Sequence, residues 1–130
     1  MPEFYSSQTQ TSQSPTAAPE VQALLDQAKK ARGTRKFDEA TVLYDQALAK
    51  ARELKDRKGE ADALRRRGFI YFFLSQYPNA LECFSLALSL HRALGDKDGE
   101  VRALNNSASI YAMTGRLTKA MALLNQALPT

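Results

Sequence analysis

The feature that most limits what this chain can fold into is that it repeats itself every 40 residues. Gly59-Glu60 recurs as Gly99-Glu100, Asp56 as Asp96 and Leu54 as Leu94, while Ala40 and Ala47 recur as Ala80 and Ala87 and again as Ala120 and Ala127. A fixed period between about 20 and 50 residues marks a stacked array, because each unit is one supersecondary element that cannot bury its apolar face alone. Three units follow: 21–60, 61–100 and 101–130.

Within a unit the apolar residues recur at helical spacing. Ala61, Leu64, Gly68, Tyr71 and Leu74 fall on one side of a first helix, and Ala80, Phe84, Ala87, Leu88 and His91 on one side of a second. Each unit therefore reads as a helical hairpin. Pro78 suits the first turn of a helix, where its missing donor has no intrahelical partner to lose. Gly95 can close the preceding helix in the left-handed conformation, Asp96 can cap the next, and Gly115 repeats the closing role. Small residues, Gly68 and Ala80 with Ala87, predict close backbone approach, and Tyr71, Tyr77 and Phe84 fill the flanking space.

The second unit, A-L-R-R-R-G-F-I-Y through Y-P-N-A-L-E-C-F-S-L-A, resembles the tetratricopeptide repeat, with Gly68, Tyr71, Ala80, Phe84 and Ala87 at the places of the pattern. The third unit fits through Ala108, Tyr111, Gly115, Ala120, Leu124 and Ala127, and the first more loosely through Ala28, Ala31, Phe37, Ala40, Tyr44 and Ala47. A 40-residue period is longer than the common repeat of about 34 residues. In this it is similar to the subgroup found in cell-polarity scaffolds and kinesin light chains. The resemblance implies an all-α fold, a right-handed α-solenoid of three hairpins and six helices, spanning 19–130. It also implies a protein-interaction module, whose first helices line a concave groove for a peptide or a partner helix.

The residues agree with a groove. Asp62, Arg65, Phe69 and Phe72 share one face of the first helix of the middle unit. The matching rows are Gln22, Leu25, Lys29 and Arg32 in the first unit and Arg102, Asn105, Ser109 and Ala112 in the third, with Arg66 and Asn106 beside them. Lys29, Arg32, Arg65, Arg66 and Arg102 around Phe69 and Phe72 would suit a segment carrying acids and a large apolar side chain. Asn105, Asn106 and Ser109 would serve its backbone. In the family an Asn at the place of Asn106 often contacts ligand backbone. Leu25 and Phe69 stand where the chaperone-tail members carry a carboxylate clamp, so that ligand is not expected. Of Arg65-Arg66-Arg67 at most two can face the groove, since successive helical residues diverge by about 100°.

Other classes lack parts. One cysteine, Cys83, permits no internal disulfide or multi-cysteine metal site and reads as buried filler. His91, the single histidine, has no partner at catalytic or metal spacing in the sequence, and no nucleophile set, phosphate loop or paired carboxylates are present. Neither enzyme activity nor a cofactor is therefore expected. The three units carry an excess of positive charge, which motivates nucleic-acid binding as a rival. Interleaved Asp and Glu in the first two units weigh against it. No run approaches the ~20 apolar residues of a membrane span, so no membrane partner is expected and the location reads as cytoplasmic.

Residues 1–18 are rich in Ser, Thr, Gln and Pro and read as a flexible tail, with Phe4 and Tyr5 as a docking peptide in the functional alternative. At the other end Met121, Leu124 and Leu128 precede Pro129 with no polar helix to cover them. Such an end predicts a piece of a longer array, or self-association through the last hairpin as a homo-oligomer.

Overall fold

The structure, a computed structural model, describes residues 17–127. They form six helices: α1 Pro19–Gly33, α2 Phe37–Glu53, α3 Arg57–Phe73, α4 Tyr77–Leu94, α5 Lys97–Met113 and α6 Leu117–Ala127. Among the described residues there is no strand. The tail expected over residues 1–18 lies mostly outside the described residues, as do Leu128 and Pro129.

The helices pack as α1 on α2, α3 on α4 and α5 on α6, and each second helix also packs on the first helix of the next unit. The first helices α1, α3 and α5 touch in sequence, whereas α2, α4 and α6 do not touch one another. First helices crowded inside and second helices spread outside make a bent stack. The inner, concave surface is therefore the surface of α1, α3 and α5.

Alternation of small and large residues allows this packing. Ala28, Ala40, Ala47, Ala80, Ala87 and Ala108 are buried at the crossings, and Tyr44 and Phe84 are fully buried between them. A Cβ on Gly68 would overlap the Phe84 ring and Cys83, so glycine is the residue that lets this aromatic lie under α3. Tyr44 shares a cluster with Ile70 of the following unit, and Phe84 shares one with Ile110. The aromatic of each of the first two units is thus sealed by an isoleucine from the next. Leu74, expected on the buried side of α3, is exposed. It caps the helix end, where the chain has already turned away from α4.

The connections carry a finer rhythm than the sequence shows. Arg35, Lys55, Ser75, Gly95 and Gly115 have φ of 63°, 56°, 61°, 69° and 82°, and they lie 20 residues apart. After each of them a backbone N–H reaches back to a carbonyl five residues earlier: Lys36 to Ala31, Asp56 to Ala51, Gln76 to Tyr71, Asp96 to His91 and Arg116 to Tyr111, at 2.7–2.9 Å. This closure satisfies carbonyls that a helix end leaves without partners. Hairpin turns and unit junctions are therefore built alike, and the 40-residue period is two 20-residue halves.

Asp56 and Asp96 cap α3 and α5 by accepting from the backbone N–H of Gly59 and Gly99 at 3.0 and 3.1 Å. The second carboxylate oxygen differs between the two junctions. In the first, Asp56 Oδ2 accepts from the Ala18 backbone N–H at 2.7 Å. In the second, Lys58, 40 residues after Ala18, brings its Nζ to 2.6 Å from Asp96 Oδ2. Ion pairs staple both junctions on the outside, Arg52 to Glu60 at 3.1 Å and Arg92 to Glu100 at 3.0 Å.

Candidate functional site

The α3 sequence places three successive arginines on different sides. Arg67 turns outward, with Nε 2.7 Å from Asp45 Oδ1 on α2, its guanidinium over the Tyr71 ring at 5.1 Å, and Nη1 3.7 Å from Cys83 Sγ. Burial raises the Cys83 thiol pKa, with Arg67 opposing, so the thiol stays protonated near neutral pH. Arg65 and Arg66 face inward and are half-buried. Burial draws the Arg65 guanidinium below its ordinary value; Asp62 opposes this, and the charges of Arg66 and Arg102 add to it. Arg65 Nη2 lies 3.4 Å from Asp62 Oδ1, a loose pair for so buried a charge.

The inner surface between α1 and α3 gathers positive charge. Tyr44 rises from α2 and is fully buried, with a hydroxyl that has no hydrogen-bond partner of good geometry among the described residues. Burial raises its pKa, and the positive charges of Arg32, Arg66 and Arg65 oppose the rise. Arg102, on α5, is exposed and paired with Asp98 at 3.0 Å. Lys29 and Asn105 are exposed, Asn106 is half-buried, and Ser109 donates to the Asn105 carbonyl at 3.1 Å. Leu25 and Asp62, read in the sequence as members of the groove rows, are buried: Leu25 belongs to the core, and Asp62 is an inner counter-ion.

The aromatic residues gather at one rim. Phe69 packs on Phe72 at 6.1 Å and edge-on to Phe73 at 4.7 Å, and Phe73 stacks on Phe37 at 5.8 Å. Of the Phe72-Phe73 pair, Phe72 is half-buried and Phe73 is 52% exposed. The Arg32 guanidinium lies over the Phe69 ring at 5.1 Å, a cation–π contact between α1 and α3. Beside it opens a cavity of about 370 Å³, lined by Arg32, Gly33, Arg35, Phe37, Phe69 and Phe73. Among the described residues neither Arg32 nor Arg35 makes an ion pair. The cavity was not foreseen, because Arg35, Phe37 and Phe73 lie off the groove rows. One signal was present: Gly33 stands where the next units have Phe73 and Met113, and nothing fills the space beside it.

A second polar cluster lies at the junction of α3, α4 and α5. His91 is fully buried rather than merely apolar-facing, and it has partners that the sequence reading did not give it. Its Nδ1 is 2.9 Å from Asp96 Oδ2, and Lys58 Nζ is 2.6 Å from the same oxygen and 3.2 Å from Asp62 Oδ1. Burial lowers the His91 pKa; Asp96 and Asp62 oppose it, while Arg65 and Lys58 add to it. The ring is thus neutral at pH 7, donates from Nδ1 to Asp96, and leaves Nε2 as a buried acceptor without a partner among the described residues. Burial works against the Asp96 carboxylate, yet Lys58, the Gly99 N–H and His91 hold its pKa at about 2. Asp62, His91 and Asp96 lie close enough to bracket a cation, and the Lys58 ammonium already occupies that role.

Comparison with known proteins fits this geometry. A family model described as tetratricopeptide repeat matches residues 59–130. Among solved structures, the chain is similar to the crystal structure of the TPR domain of Arabidopsis FLU, with a TM-score of 0.76 and 24% identity, over 83% of this chain and 91% of that one. At that identity the likeness speaks for the fold alone. The search of curated proteins finds no match. Among the described residues no helix is long and apolar enough to cross a membrane.

Proposed function

The chain belongs to the tetratricopeptide repeat family, and we propose that it is a protein-interaction module whose inner surface holds a peptide segment carrying acidic residues and one large apolar side chain. The observation that carries this reading is the Arg32–Phe69 stack beside the rim cavity, with Arg65 and Arg66 further along the same surface. The cavity takes the apolar side chain against Phe69, Phe73 and Phe37. Guanidinium groups in this setting are partly desolvated, so a carboxylate gains more from them than from exposed lysines.

In this reading Arg32 and Arg35 hold the acid nearest the apolar anchor, and Arg65 and Arg66 hold the next. Arg102, Lys29, Asn105, Asn106 and Ser109 extend the surface toward α5 and α1 as the outer, solvated part of the contact. Exposed pairs such as Arg102–Asp98 contribute little affinity and act mainly on the rate of encounter.

The test is a peptide display selection biased toward Asp, Glu, Phe, Leu and Trp, followed by titration calorimetry. Arg32→Glu and Phe73→Ala should each weaken a selected peptide by roughly tenfold, with helicity unchanged. Equal affinity for both variants would remove the groove reading.

A further inference from the structure

The rim cavity is lined by three aromatic rings and two cations, and by no acid. Phe37, Phe69 and Phe73 form its apolar wall and Arg32 and Arg35 its charged wall, with Gly33 leaving room beside them. Its volume of about 370 Å³ is at the small end of the roughly 300–1,000 Å³ of ligand pockets, the size for one ring and its substituent. Arg32 and Arg35 have no carboxylate partner among the described residues. Unmatched positive charge therefore stands in the wall of an aromatic cavity.

That combination selects among the side chains a peptide could bring. A purely apolar one would fill the cavity but strip water from the half-buried Arg32 without giving it an anion, which costs free energy. An Asp or Glu would bring a single charge and leave the rings uncovered. An aromatic ring that carries its own doubly charged anion meets both walls at once. The ring packs face or edge against Phe69 and Phe73, which already meet edge-on at 4.7 Å. A phosphate on that ring brings a charge of about −1.5 to −2 and oxygens that match the guanidinium forks.

We propose that the rim cavity is a pocket for a phosphotyrosine side chain of the bound peptide, an inference that rests on reading the inner surface as a peptide site. The ring enters between Phe37, Phe69 and Phe73, and the phosphate is held by Arg32 and Arg35. A peptide is favoured over a free aryl phosphate because the same surface continues along α3 to Arg65 and Arg66, both half-buried, which gives acids flanking the phosphotyrosine further partners.

The test is titration calorimetry of the full chain with a short capped peptide that has phosphotyrosine between glutamates, and with the same peptide carrying tyrosine or phosphoserine at that place. Phosphotyrosine should bind roughly tenfold or more tightly than tyrosine, through the charge-assisted bonds to the arginines. Phosphoserine should lose that gain, having no ring to reach the cavity. Arg35→Gly should also abolish it; the substitution puts glycine at a φ of 63°, which glycine adopts freely, so the fold is kept. Equal binding of the phosphotyrosine and tyrosine peptides, an equal gain from phosphoserine, or a gain that survives Arg35→Gly would each overturn the proposal. Phenyl phosphate binding as tightly as the phosphotyrosine peptide would overturn the peptide source and assign the pocket to a free aryl phosphate. Acidic peptides that bind without any gain from phosphate overturn this inference alone, whereas no binding by any of the peptides removes the groove reading with it.

Discussion

Three of the five connections hold an L-residue in the left-handed region, and this predicts a stabilisation that can be measured. Lys55 and Ser75, at φ 56° and 61°, occupy the position that Gly95 and Gly115 fill elsewhere. Among the described residues neither side chain makes a hydrogen bond or an ion pair, and both are exposed, so replacing them removes no contact. An L-residue in the left-handed conformation costs about 1–2 kcal/mol. Glycine returns about 0.4–1 kcal/mol of that through the greater freedom of the unfolded chain. The net gain is about 0.5–1 kcal/mol for each of Lys55→Gly and Ser75→Gly, and the two sites are separate enough to add. For a domain of this size the double variant should melt about 3–8 °C higher. Gly95→Ala should move the other way, by about 1 kcal/mol. Thermal unfolding followed by circular dichroism is the assay. An unchanged or lower melting temperature for the double variant would refute the claim that these connections store backbone strain.

Other consequences follow from the buried cluster. His91 is the single histidine and its folded pKa is lowered, so the unfolded chain takes up a proton near pH 6.5 that the folded chain resists. Stability is therefore full above that pH and falls as the pH drops below it; the urea midpoint should decrease between about pH 7 and pH 5, and His91→Gln should flatten the decrease. Lys58→Met leaves the buried Asp62 and the half-buried Asp96 carboxylates facing each other and should cost about 2–3 kcal/mol in urea unfolding. A Cβ on Gly99 would overlap the His91 ring, so Gly99→Ala should destabilise by about 2 kcal/mol, read as a lower melting temperature.

The fold was legible because its signals repeat. Ala40, Ala80 and Ala120 recur at crossings that only small residues fit, and Asp56 and Asp96 recur at helix starts that need a cap. Features that occur once were harder to read. Lys58 and Asp96 are 38 residues apart and meet at one junction only, with a backbone N–H doing the same work at the other. Arg35, Lys55 and Ser75 hid the 20-residue rhythm because no glycine marks them. Spacing alone puts Arg32, Phe69 and Phe72 on first helices, whereas Phe37 begins a second helix and Arg35 sits in a turn. Only the folded hairpin brings those two into the cavity beside Phe73.

The claim that the inner surface and its rim cavity form the binding site is tested most directly by an NMR amide-shift titration of the isotope-labelled chain with a display-selected acidic peptide bearing one large apolar residue. Shifts concentrated at Arg32, Gly33, Arg35, Phe69 and Phe73, and abolished by Arg32→Glu, are the predicted result. Shifts confined to the outer helices α2, α4 and α6, or persisting unchanged in that variant, would contradict it.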